Sequence, residues 1–169
     1  EKLITLNGPH PLAFKKSMDW RQKFMSWYIY FFQLPYLPEW LLGFNQCWMI
    51  GKIFEKTCVN RDLFSAEIKD VYRAAASQPG SLKAMINYYR AFFWFPVKFA
   101  KANQKKKNIS IPSLIIWGEQ DIALSKKIAL NTKSYVDNLL IKFIPNGSHW
   151  IQQDCPQEVN RILTAFIKN

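Results

Sequence analysis

At 169 residues, with 49% hydrophobic and 16% aromatic content, the chain is large enough for one core, small for two independent domains, and too rich in Trp and Phe to stay disordered. Its net charge of +11 favours anionic surfaces in general. It carries no zinc spacing, RNP-like aromatic motif or helix-turn-helix signature, so no nucleic acid is expected as a partner.

The chain begins with Glu1 rather than Met and runs directly into EKLITLN, whose residues 3–6 predict a buried strand; the expectation is a fragment of a longer protein. Residues 7–112 show no clear strand and predict an all-helical insertion. Its first helix carries Trp20, Phe24, Trp27, Tyr28 and Phe31 at helical spacing, and a second spans residues 44–54. A third opens near Ser65 and Glu67, runs to Ser77 and stops at QPG (78–80); a fourth follows from Ser81 with Leu82, Met85, Ile86, Tyr89 and Phe93 on one face. Residues 24–38 hold no charge, but Pro35 and Pro38 interrupt them, and a membrane-spanning helix needs roughly 20 apolar residues. The apolar face is therefore expected to dip into a bilayer surface or to bury against another part of the protein. Residues 98–107, KFAKANQKKK, read as a solvated basic linker.

Residues 113–117 (SLIIW) and 139–144 (LLIKFI) predict two further buried strands, and a helical pattern at 124–135 between them predicts a parallel βαβ unit. A last helix, 156–167, has Pro near its first turn and an apolar stripe of Val159, Ile162, Leu163 and Phe166. Three strands cannot cover a doubly wound parallel sheet, so the rest of the sheet is expected upstream. Cys47, Cys58 and Cys155 form no CxxC pair and read as reduced thiols.

Polar groups that act on a ligand in such a fold collect at the carboxyl ends of the strands. WGEQDIAL places Glu119 and Asp121 beyond one strand and NGSHW places His149 beyond the next. An Asp that accepts from one imidazole nitrogen leaves the other free as a general base. A lone histidine on a turn is more often a boundary residue, but paired placement at adjacent strand ends favours the catalytic reading; Glu119 reads as a solvated loop acid. Asp121 could equally cap the following helix.

Taken together, LITLNGPHP, SWYIYFFQLPYLPE, MINYYRA, WGEQDIAL and GSHWIQQDCPQEVNRIL resemble the later half of an α/β-hydrolase of the epoxide hydrolase family, close to its membrane-associated animal members. The resemblance implies an α/β fold: a core strand and loop at 1–10, a helical lid at 11–103, and the carboxyl-terminal part of the hydrolase core at 104–169. It implies His149 as general base, Asp121 as the acid that orients it, and Tyr28 and Tyr89 as lid phenols that hold the epoxide oxygen, with His10 structural. The expected partners are a small lipophilic epoxide and water, with no metal or organic cofactor, in the cytoplasm or at the endoplasmic reticulum membrane. The nucleophilic Asp on its strand-to-helix elbow and the oxyanion-hole loop do not occur in these residues and are expected upstream, so the chain alone is expected to be inactive. Competing readings are a haloalkane dehalogenase, a serine-type hydrolase, and a non-catalytic module that docks on a membrane or partner.

Overall fold

The structure, a computed structural model, describes residues 1–94 and 108–168. The basic stretch 98–107 and the side chain of Phe93 lie outside the described residues. The chain divides into two units: one holds Glu1–Met25, Thr57–Leu63 and the described residues 108–168, the other Ser26–Lys56 and the described residues 64–94.

The first unit is built on a parallel sheet of β1 (Leu3–Leu6), β2 (Ser113–Gly118) and β3 (Leu139–Ile144), in that spatial order. The register pairs Leu3 with Ser113 and Ser113 with Leu139, so the three strands end side by side. Central β2 is buried at every residue because both of its faces are covered, which is why its sequence is an unbroken apolar run. Alternate residues serve opposite faces. Leu114 and Ile116 join Ile144, Ile151, Val159 and Ile162, with Leu163 and Phe166 packed beside them. These last four residues form the apolar stripe of the closing helix (Pro156–Lys168), in the register the sequence predicts. On the other face Ile115 and Trp117 are buried, and α1 (Pro11–Lys16) packs against the helix between β2 and β3 (Lys126–Asn131) through a region that buries Ala13, Phe14, Ile128 and Ala129.

That connecting helix is shorter than the 124–135 pattern predicts. Side chains claim the backbone donors ahead of it: Asp121 Oδ1 accepts from Ala123 N and Leu124 N, and Gln22 Oε1 from Ser125 N. Its far end passes into a 3-10 turn at Thr132–Ser134.

The expected first lid helix is two short ones, α2 (Trp20–Met25) and α3 (Trp27–Phe31), and its aromatic stripe is not what α2 buries. Trp20 and Phe24 are 82% and 79% exposed, whereas Gln22 is fully buried, because its amide bridges Ala123 O and Ser125 N of the loop after β2. Hydrogen-bond demand overrides the apolar stripe here.

In the second unit α4 (Leu37–Thr57, its last residue in the first unit) is longer than the predicted 44–54 helix and is broken at its middle. Phe44 is extended, and Asn45, Gln46 and Cys47 are left-handed, with φ of 49, 52 and 55°. Arg73 donates to the carbonyls of Gln46 and Asn45 that the break releases. Next come α5 (Ala66–Ser77), capped by Ser65 Oγ accepting from Ile68 N, and α6 (Ser81–Trp94). Gly80 between them takes φ of 79°, which supplies the stop read from QPG. Phe54 packs on Phe64 and Tyr72 at ring distances of 5.5 and 4.3 Å. No helix among the described residues is long and apolar enough to cross a membrane.

Candidate active site

Parallel register brings three loops to the carboxyl edge of the sheet: Asn7 after β1, Gly118–Asp121 after β2, and Gly147–His149 after β3. The last two cross in direct backbone contact. A Cβ on Gly118 would stand 2.3 Å from both Gly147 O and Ser148 O, and one on Gly147 would stand 3.2 Å from Gly118 Cα. Two residues without side chains therefore let the acid loop and the histidine loop touch.

The crossing delivers His149 Nδ1 to 2.8 Å from Asp121 Oδ2. A carboxylate only accepts, so the proton of the neutral ring sits on Nδ1 and Nε2 carries the lone pair. No hydrogen bond engages Nε2 among the described residues, and the side chain is 30% exposed where that of Asp121 is 1% exposed. Trp150 meets the imidazole edge-on at 5.1 Å, and Trp150 Nε1 donates to Thr57 Oγ1 at 2.7 Å. Asp121 is both a cap and a histidine partner: Oδ1 takes the two backbone donors of its own loop, and Oδ2 faces His149. An imidazole held in this way is able to serve as an oriented general base. Glu119 points elsewhere and pairs with Lys126.

Three supporting residues escape the sequence reading. Asn7, buried and left-handed at φ 45°, donates from Nδ2 to Asp121 Oδ2 (2.8 Å) and Ser148 O (2.9 Å) and accepts from Gly118 N (2.9 Å). Asp154, also buried, accepts from Ser148 N with one oxygen and from Val59 N and Asn60 N with the other. Gln22 props the loop after Asp121. The Asn-Gly-Pro that follows β1 was a legible turn signal; Gln22 inside an aromatic stripe gave none.

Tyr28 on α3 and Tyr89 on α6 lie in the second unit and meet edge to face at 5.7 Å. Phe32 touches both rings, at 5.8 and 5.1 Å. Burial pushes the Tyr89 phenol above its ordinary range, so it stays protonated through neutral pH and is a donor. Tyr88 is 72% exposed, as its place on the helix predicts. Arg90, next to Tyr89, clamps the turn between α3 and α4: it donates to Phe32 O and Leu34 O and holds the Glu39 carboxylate through both terminal nitrogens. A cavity of about 880 Å³ within this unit is lined by Gln33, Glu39, Gln46, Leu82 and Arg90 among others, and neither tyrosine lines it. His10 caps α1 through Nδ1 and stacks on Tyr135 at 4.8 Å. Among the described residues no group of His, Cys, Asp and Glu converges as a metal site, and no disulfide joins Cys47, Cys58 and Cys155.

No family model matches the chain. It is 35% identical to mouse epoxide hydrolase 4, over 99% of this chain and 47% of that protein, and 36% identical to epoxide hydrolase 3 of Xenopus tropicalis, over 98% and 46%. The chain thus spans about half the length of the curated relatives it matches. The crystal structure of Bacillus megaterium epoxide hydrolase in complex with an inhibitor superposes with a TM-score of 0.84 at 26% identity, covering 99% of this chain and 61% of that one. Over nearly its whole length the chain is homologous to epoxide hydrolases, and it belongs with them to the α/β-hydrolase fold.

Proposed function

We propose that the chain supplies the acid, the base and the lid of an epoxide hydrolase acting on lipophilic epoxides, with the second unit as that lid. A carboxylate nucleophile, which these residues do not hold on a strand-to-helix elbow, attacks an epoxide carbon. The ring C–O bond breaks, and the alkoxide takes a proton from the Tyr28–Tyr89 pair. His149 Nε2 then removes a proton from water and the hydroxide adds to the ester carbonyl. The diol oxygen leaves with the proton of the imidazolium, and the proton left on the nucleophile's carboxyl returns to the phenolate. Asp121 keeps Nδ1 as the protonated nitrogen and offsets the positive charge of the ring.

The observation that carries this reading is the 2.8 Å pairing of His149 with a buried Asp121, with Nε2 left open. Replacing His149 by Gln in the whole protein tests it: incubation with an epoxide should leave a stable protein adduct of substrate mass, with diol release abolished. Undiminished diol release would refute it. On the same reading residues 1–169 alone release no diol. The proposal extends to a membrane surface, supported by the net charge of +11 and by the exposed Tyr36, Trp40 and Phe44 of the second unit. Sedimentation with anionic vesicles should lose strength when Trp40 and Phe44 are replaced by Ser, and equal binding by that variant would remove the support.

A further inference from the structure

The Asn7 side chain reaches all three strand ends. Its own residue closes β1, its carbonyl accepts from Gly118 N after β2, and its amide nitrogen donates to Asp121 Oδ2 and to Ser148 O, the residue before His149. The amide cannot be turned over: Gly118 N is a donor and needs the oxygen, while a carboxylate and a carbonyl need the NH2. Asp at this position would set acceptor against acceptor, and Leu would leave Gly118 N and Ser148 O without partners and Asp121 Oδ2 with His149 alone. The left-handed φ of 45° suits Asn better than any other side chain that carries both a donor and an acceptor at that reach.

The consequence lies on one oxygen. Asp121 Oδ2 receives two donors, Asn7 Nδ2 and His149 Nδ1, both at 2.8 Å. The two backbone donors on Oδ1 anchor one end of the carboxylate but leave it free to rock about that end. The Asn7 amide occupies one lone-pair direction of Oδ2 and turns the other to the imidazole. Through Ser148 O it also fixes the peptide from which His149 projects. Acceptor and donor are therefore set by the same group.

We propose that Asn7 is a positioning residue that selects the Nδ1–H tautomer of His149 by orienting Asp121, and so keeps Nε2 as the basic nitrogen. The inference rests on the epoxide hydrolase reading for its use, but its test needs no turnover. The 15N-labelled chain is observed by long-range 1H–15N correlation at a pH where the ring is neutral, with His149→Gln assigning the signals. Wild type shows Nδ1 as the protonated nitrogen. Asn7→Gly keeps a residue at ease with the left-handed backbone and deletes only the amide. In that variant the ratio of Nδ1–H to Nε2–H forms should fall about fivefold, the equivalent of one hydrogen bond of about 1 kcal/mol.

A folded Asn7→Gly protein that keeps the wild-type ratio overturns the role of Asn7 and leaves the acid–base pair standing. A wild-type ring protonated on Nε2 overturns the pair itself. Should Asn7→Gly fail to fold, amide exchange in wild type decides: both Asn7 carboxamide protons must be protected from solvent, and exchange of either at the rate of a free amide refutes the proposal. In the whole protein the same substitution lowers the rate of ester hydrolysis and leaves ester formation unchanged, a split that general loosening of the fold would not give.

Discussion

Gly118→Ala places one methyl group where the loop bearing Asp121 and the loop bearing His149 cross. Its carbon would lie 2.3 Å from the oxygens of Gly147 and Ser148 and 2.6 Å from the Gly147 carbonyl carbon, all backbone. An ordinary carbon–oxygen contact is about 3.3 Å, so the loop after β3 must retreat by about 1 Å. Both oxygens are in use: Gly147 O accepts from Gln120 N at 3.0 Å and Ser148 O from Asn7 Nδ2 at 2.9 Å. Losing these two bonds costs about 1 kcal/mol each, and overpacking adds about 1 to 3 kcal/mol. A total near 4 kcal/mol is a large share of the roughly 5–15 kcal/mol that a domain has in all, and it lowers the melting temperature by about 10 °C. The same retreat carries His149 away from Asp121, so the hydrogen-bonded Nδ1 proton, sought far downfield in the proton spectrum, should vanish. Thermal unfolding by circular dichroism and that one resonance form the assay. A variant melting within about 2 °C of wild type, with the proton in place, would show that the loops do not meet at Gly118 and would refute the account of how the pair is assembled.

Three further outcomes are expected. Asp154→Asn turns an acceptor of three backbone donors into a group that sets NH2 against either Ser148 N or the pair Val59 N and Asn60 N, and should cost about 2 kcal/mol in urea unfolding. Tyr89→Phe in the whole protein should slow ester formation on the order of a hundredfold in a rapid-quench experiment while ester hydrolysis is unchanged; an equal loss in both steps would contradict a role at the epoxide oxygen. The hydrogen bond from Arg90 holds the Glu39 carboxyl below its ordinary value, so its contribution to stability is full above about pH 4.3 and is lost as pH falls through the depressed value. Glu39→Gln should therefore lower the melting temperature at pH 7 and narrow to nothing its difference from wild type at pH 2, and a difference that persists in acid would break the link.

What could be read from the residues follows physical rules of reach. β2 was legible because a strand covered on both faces needs an unbroken apolar run, and the closing helix because Val159, Ile162, Leu163 and Phe166 repeat at its own period. Asp121 and His149 were legible as a pair because parallel strands end on one side. Failures occur where polar bonding beats burial. Gln22 turns α2 over, and Asp121 with Gln22 takes the donors that would have begun the next helix earlier. The break at Asn45–Cys47 had no glycine at its left-handed positions to announce it. Asn7 was not singled out, since its bonds span 111 to 141 residues of sequence. The contact between Tyr28 and Tyr89 is equally non-local, and only the family resemblance singled out those two among seven tyrosines.

Strand β1 lies in register against β2 although residues 7–112 intervene. The entropy of closing such a loop grows only with the logarithm of its length, about 0.6 kcal/mol for each doubling. Lengthening, trimming or exchanging the helices that pass outside the sheet is thermodynamically cheap, whereas shifting β1 by a single position would take Asn7 from its neighbours. Descendants of such a scaffold can therefore vary the inserted helices without rebuilding the strand ends that hold Asp121 and His149 together.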